Sequence, residues 1–130
     1  MLLDAQNLFS DNQSITTGTI ISDNIVRFGK NDVSYVPFLA QATQDFSNLE
    51  SLTLKIETCE DEDFSEATIL AQSTLNLAQL KAGAKFPIAY LPKGNLGYMR
   101  LTYTTVGTTE TTGKITAGVV AGNDLSHHEL

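Results

Sequence analysis

The stretch Leu96–Val106, Leu-Gly-Tyr-Met-Arg-Leu-Thr-Tyr-Thr-Thr-Val, constrains the fold more than any other part of this chain. Met99, Leu101 and Tyr103 alternate with Tyr98, Arg100, Thr102 and Thr104. Such period-two alternation belongs to a strand with one apolar and one polar face. Gly94–Asn95 before it and Gly107 after it are breakers that limit its length. Arg100 falls mid-strand on the polar face, which therefore meets solvent or a partner.

The same rhythm recurs along the chain. Ser51–Thr58 sets Leu52, Leu54 and Ile56 against Thr53, Lys55 and Glu57. Val36–Thr43 places Phe38, Ala40 and Ala42 together, with Pro37 marking a strand entry. Lys114–Ala121 groups Ile115, Ala117, Val119 and Ala121, and Phe86–Leu91 and Thr68–Ser73 read as shorter strands. Thr19–Phe28 is β-rich but broken at Asp23–Asn24, as two short strands around a bend would be. Asp11–Ser14 reads as a turn, Asp45–Glu50 as a polar loop, and Gly107–Gly113 as a hairpin connection. Leu77 and Leu80, between a capping Asn76 and a terminal Gly83, predict one or two turns of helix. About eight short strands at roughly ten-residue spacing, without βαβ alternation, predict an all-β fold: an antiparallel jelly-roll β-sandwich with one short helix.

The chain has 130 residues, enough for one domain with its own core. The organisation expected is an N-terminal arm or edge strand over 1–13, a jelly-roll domain over 14–124, and a flexible tail over 125–130. No stretch approaches the roughly 20 apolar residues that span a bilayer, so no membrane partner is expected. The first residues lack a basic region, and Asp4 interrupts their apolar run, unlike a secretory signal. A single cysteine, Cys59, suits synthesis in a reducing cytoplasm. Fifteen acidic and eight basic side chains give a net charge of −7. The basic residues are scattered singly, and a partner bound through its phosphates needs the opposite arrangement, so nucleic acid is not expected as a ligand.

The search for catalytic chemistry finds little. His127 and His128 are the only histidines, and both lie within four residues of the C-terminus, far from any candidate nucleophile. They leave no cupin-type ligand set inside a barrel, and no metal or other cofactor is expected. Glu60-Asp61-Glu62-Asp63 offers carboxylate oxygens suited to Ca²⁺, but the spacing of an EF-hand loop is absent. Four adjacent acids between strands more often form a solvated, self-repelling loop. A glycosidase pair would need an aromatic-lined cleft, and the chain has no Trp. No enzyme activity is expected.

Several segments taken together resemble the Bbp16-like cement proteins of tailed-phage capsids. They are Met1–Ser10, the acidic loop followed by Phe64-Ser65, Leu91-Pro92-Lys93-Gly94, Tyr98–Tyr103 and Gly113–Gly118. The resemblance runs in order along nearly the whole chain, and its weight comes from that order, since no one segment is chemically diagnostic. It implies a jelly-roll capsid cement or decoration protein on the outer face of an icosahedral head, made in the bacterial host cytoplasm. Its partners would be the phage major capsid protein and itself, as a homo-oligomer (dimer or trimer), with no catalysis. Stabilisation of the capsid would come from bridging subunits through several weak contacts.

Three regions are candidate contacts for such a partner. Leu2, Leu3, Leu8 and Phe9 make the N-terminus apolar, as either a clamp on a neighbour or a piece of its own core. Glu60, Asp61, Glu62 and Asp63 would pair with basic capsid residues and make attachment salt-dependent. Tyr98 and Arg100 share the polar face of the strand described first. The rival expectation is a carbohydrate-binding jelly roll, calcium-assisted through the acidic loop.

Overall fold

A computed structural model describes residues 3–27, 36–88, 90–91, 96–107 and 112–120. Among these residues eight strands run in chain order: β1 (Leu3–Ser14), β2 (Thr19–Ile21), β3 (Val26–Arg27), β4 (Phe38–Ser47), β5 (Ser51–Cys59), β6 (Thr68–Asn76), β7 (Tyr98–Val106) and β8 (Thr112–Val120). They form two antiparallel sheets. One has the order β1-β8-β4; the other has the order β2-β7-β5-β6, with β3 also paired to β7.

A further stretch completes the first sheet. Residues 80–88 and 90–91 run along the outer side of β4, donating from Gly83, Phe86 and Leu91 to carbonyls of Ala42, Ala40 and Val36. Ala42 and Phe46 of that side donate back to Ala84 and Leu80. Pro87 interrupts the stretch, and among the described residues only the bridges Pro37↔Tyr90 and Gln41↔Lys85 have ladder geometry there. The expected strand over 86–91 is therefore an irregular cover, because proline has no N–H to donate. With it in place, the sheets read first, eighth, fourth, cover and second–third, seventh, fifth, sixth. That is the double Greek key of a jelly roll.

The inner faces supply the core. Leu52, Leu54 and Ile56 from β5 and Met99, Leu101 and Tyr103 from β7 are fully buried. Phe38, Ala40, Ala42, Ile115, Ala117 and Val119 face them from the other sheet. Phe9 and Phe38 meet edge to face, 6.0 Å between ring centres. Phe46 lies so close over Gly113 that a Cβ there would fall 2.4 Å from its ring.

Four local expectations change. Asp11–Ser14 is the end of β1 rather than a turn; the turn-like residue is Asn12, at φ 52 inside a shifted register. Asn tolerates this left-handed conformation better than most residues. β4 continues to Ser47 through the expected polar loop, because Phe46 is buried and draws the strand on, and the chain reverses only at Asn48, φ 64. β7 and β8 do not form a hairpin, because they belong to different sheets. The helix shrinks to one 3₁₀ turn, Leu77–Gln79. Its capping box is complete, with Gln79 N donating to Asn76 Oδ1 at 3.1 Å and Asn76 N donating to Gln79 Oε1 at 3.0 Å.

A buried polar network joins β1 to the opposite sheet. Ser10 Oγ is 2.7 Å from the Tyr103 hydroxyl and donates to Gln13 Oε1 at 2.5 Å. Gln13 also accepts from Asp23 N at 2.9 Å and donates to the Ile21 carbonyl at 2.8 Å. Burial pushes the Tyr103 phenol well above its ordinary value, and the charge of Asp23 adds to the shift while the Ser10 hydrogen bond opposes it.

Candidate functional site

The acidic loop links β5 to β6 at one end of the second sheet. Two tight bends over 60–66 keep Glu60, Asp61, Glu62, Asp63 and Glu66 exposed. Phe64 is the exception. It is buried, its N–H donates to the Asp61 carbonyl at 3.2 Å, and its φ of 50 lies in the left-handed region that an aromatic residue seldom adopts.

The anchor beneath it explains that conformation. The Arg100 guanidinium stands 4.4 Å from the centre of the Phe64 ring, within cation–π range. Arg100 Nε also donates to Glu57 Oε1 at 2.9 Å, and both side chains are largely shielded from solvent, at 18% and 13% exposure. Glu57 and Arg100 are directly opposite in the β5–β7 register, so the pair is set by the ladder itself. The chain Glu57–Arg100–Phe64 thus ties the loop to the most regular part of the sheet.

Around this anchor the carboxylates open on a shallow cleft of ≈ 540 Å³ lined by Glu60, Asp61, Glu62, Asp63 and Tyr98. A narrower one of ≈ 230 Å³ lies beside it, lined by Cys59, Glu60, Asp61, Ser65, Glu66, Thr68 and Leu96. Both are lined mainly by polar groups, and the larger lies open to solvent, which suits a charged protein surface more than an enclosed small molecule. Among the described residues no three of His, Cys, Asp or Glu converge as a metal ion would require. Cys59 is a buried free thiol, and Thr58 beneath the cleft holds neighbouring backbone, accepting from Leu96 N at 2.9 Å and donating to the Tyr98 carbonyl at 2.8 Å.

The sequence candidates therefore divide. Glu60, Asp61, Glu62, Asp63 and Tyr98 come together around one cleft. Arg100 lies beneath the loop, engaged with Glu57 and Phe64, and is not a free cation on an open face. Phe9 is completely buried in the chain's own core, and Leu8 is half-buried. Leu3 begins β1, paired with Val120; Leu2 lies outside the described residues, as do His127 and His128. Glu57 and Phe64 escaped the sequence reading as site residues. The available signal was a lone aromatic directly after four acids, an apolar group that a purely solvated loop has no use for.

Fold and acidic cleft together define an all-β jelly-roll module whose most distinctive surface is an anchored acidic loop. Within that class the chain belongs to the Bbp16 family, which it matches over residues 9–120. A search of curated proteins finds no match. Among the described residues no helix is long and apolar enough to cross a membrane.

Proposed function

We propose that this protein is a capsid cement protein of a tailed phage, one that binds the outer face of the major capsid protein shell and bridges its subunits without chemistry. The observation that carries this reading is the exposed acidic loop anchored to the sheet through Phe64 and Arg100, on a chain of the Bbp16 family. A clamp needs preorganised patches more than a pocket, because ordering a loose loop at the moment of binding would cost affinity. An exposed run of carboxylates suits basic residues on a shell. It also favours the outer surface, away from packaged nucleic acid, whose phosphates would repel a chain of charge −7.

The test is co-sedimentation of the purified protein with heads that carry only the major capsid protein, at low and high salt. The expected result is saturable binding that raises the temperature of head disruption and weakens with salt. Replacing Glu60, Asp61, Glu62 and Asp63 with their amides should lower the affinity and flatten the salt dependence. No binding at any salt would overturn the proposal and bring the carbohydrate-binding alternative forward, to be tried on a glycan array with and without calcium.

A further inference from the structure

The outer face of the second sheet carries little charge for a chain so acidic. Its register sets Thr19, Thr104, Thr53 and Thr74 side by side, one each on β2, β7, β5 and β6. Their hydroxyls pair within the row, Thr19 with Thr104 at 3.2 Å and Thr53 with Thr74 at 2.8 Å. Covering the row leaves none of the four without a partner, which removes much of the usual penalty for drying a polar surface. Glu57 and Arg100 are bound to one another, and between that pair and the threonine row only Lys55 is charged.

Apolar side chains gather on the same face. Five large ones are exposed among the described residues, and Ile21, Ile69 and Val106 are three of them. The register puts these opposite Thr102, Glu57 and Ser51 respectively. The other two lie elsewhere, Ile25 in the bend before β3 and Tyr90 on the cover of β4. Scattered apolar residues on a surface are ordinary, but a shared flat face with few charges marks a contact.

We propose that this face is the water-excluding half of the attachment site: it lies on a flat, weakly charged patch of the major capsid protein whose basic border meets the acidic loop. The inference rests on the capsid reading. Continuity with the acidic cleft selects this occupant. Tyr98, which lines the larger cleft, stands two residues from Arg100 on the same side of β7, so cleft and face form one surface. A partner that covers both needs a neutral centre and a positive margin, and a second copy of this chain would bring a negative one. Size points the same way. At about 3.3 Å per residue and about 4.8 Å per strand, the face measures about 27 Å by about 19 Å, or roughly 500 Å². A stable pair in solution buries about 800 Å² on each partner. A face this small holds firmly only where several act together, as they do on a shell.

The test is co-sedimentation of full-length variants with heads that carry only the major capsid protein, over a range of salt. Ile21→Gln combined with Val106→Gln should weaken binding about tenfold or more and leave its salt dependence unchanged, because the contact removed is not ionic. Thr53→Gln, an uncharged obstruction at the centre of the row, should act in the same direction. Tyr90→Gln, away from the face, should bind as the native chain does. Circular dichroism and sedimentation velocity of the double variant alone should match the native chain. Undiminished binding of the double variant and of Thr53→Gln would overturn the inference while the capsid reading stands. A change in the double variant's own association would overturn it too, by assigning the face to a second copy. A native chain that binds no heads at any salt would overturn both.

Discussion

The β5–β7 and β1–β8 ladders hold the two sheets in different ways. The first pairs Ser51 through Cys59 with Val106 through Tyr98 without one slip. The second breaks between Leu3 and Leu8, between Leu8 and Ser10, and between Ser10 and Gln13. Where register is unbroken, alternate residues face one side, and apolar burial suffices to specify the pairing. Where it breaks, facing is reset at each bulge and something directional must take over. In β1 that role falls to hydrogen bonds: Ser10 and Gln13 reach Tyr103 and the β2–β3 bend, and Asn24 N donates to the Phe9 carbonyl at 3.0 Å.

The strongest challenge to this contrast is to truncate one core side chain in each ladder. Leu54→Ala in β5 should cost about 2–5 kcal/mol and Phe9→Ala in β1 about 3–5 kcal/mol, read by urea denaturation. A small cost at Phe9 would mean that β1 is a removable arm and the contrast one of integral against docked. Gly113→Ala comes next, because the new methyl must displace the Phe46 ring; overpacking of this kind typically costs about 1–3 kcal/mol. Tyr103→Phe, which removes only the hydroxyl linking the sheets, should cost about 1 kcal/mol.

The same variant sharpens the comparison through pH. Tyr103 holds its proton more tightly when folded than when unfolded. Its contribution is therefore complete below the unfolded value, about 10, and is lost as pH rises through the raised folded value. Stability should fall in alkaline solution more steeply for the native chain than for Tyr103→Phe. Equal slopes would show that the phenol is not the group responsible. The smallest effect concerns the turn after β6: Asn76→Ala removes half of the capping box and should cost about 1 kcal/mol or less.

The contrast also explains what could be read in advance. The facing residues of β5 and β7 followed directly from their alternation, and the bend between β2 and β3 from the Asp23–Asn24 break in a β-rich run. Asp11–Ser14 misled because Asn12 carries the composition of a turn while serving as a bulge. Asp45 did the same before Phe46, a single apolar residue that keeps β4 extended to Ser47. The acidic loop was plain as a run of charge. Its anchoring was not, because Phe64 and Arg100 meet only after the 35 intervening residues bring β7 back beside β5. Pairings of that range depend on topology, and local pattern carries no record of them.

The position of β8 between β1 and β4 has a consequence for how the chain is made. The first sheet has no middle until residues 112–120 have been synthesised, so β1 and β4 wait through most of translation beside a partner that does not yet exist. The second sheet can close as soon as β7 emerges. Loop-closure entropy in so non-local a topology places folding in the range of milliseconds to seconds, slower than helical bundles of similar size. During that interval Phe9 and Phe38 have no finished core to enter, and crowding by nascent copies is then the chief hazard to yield.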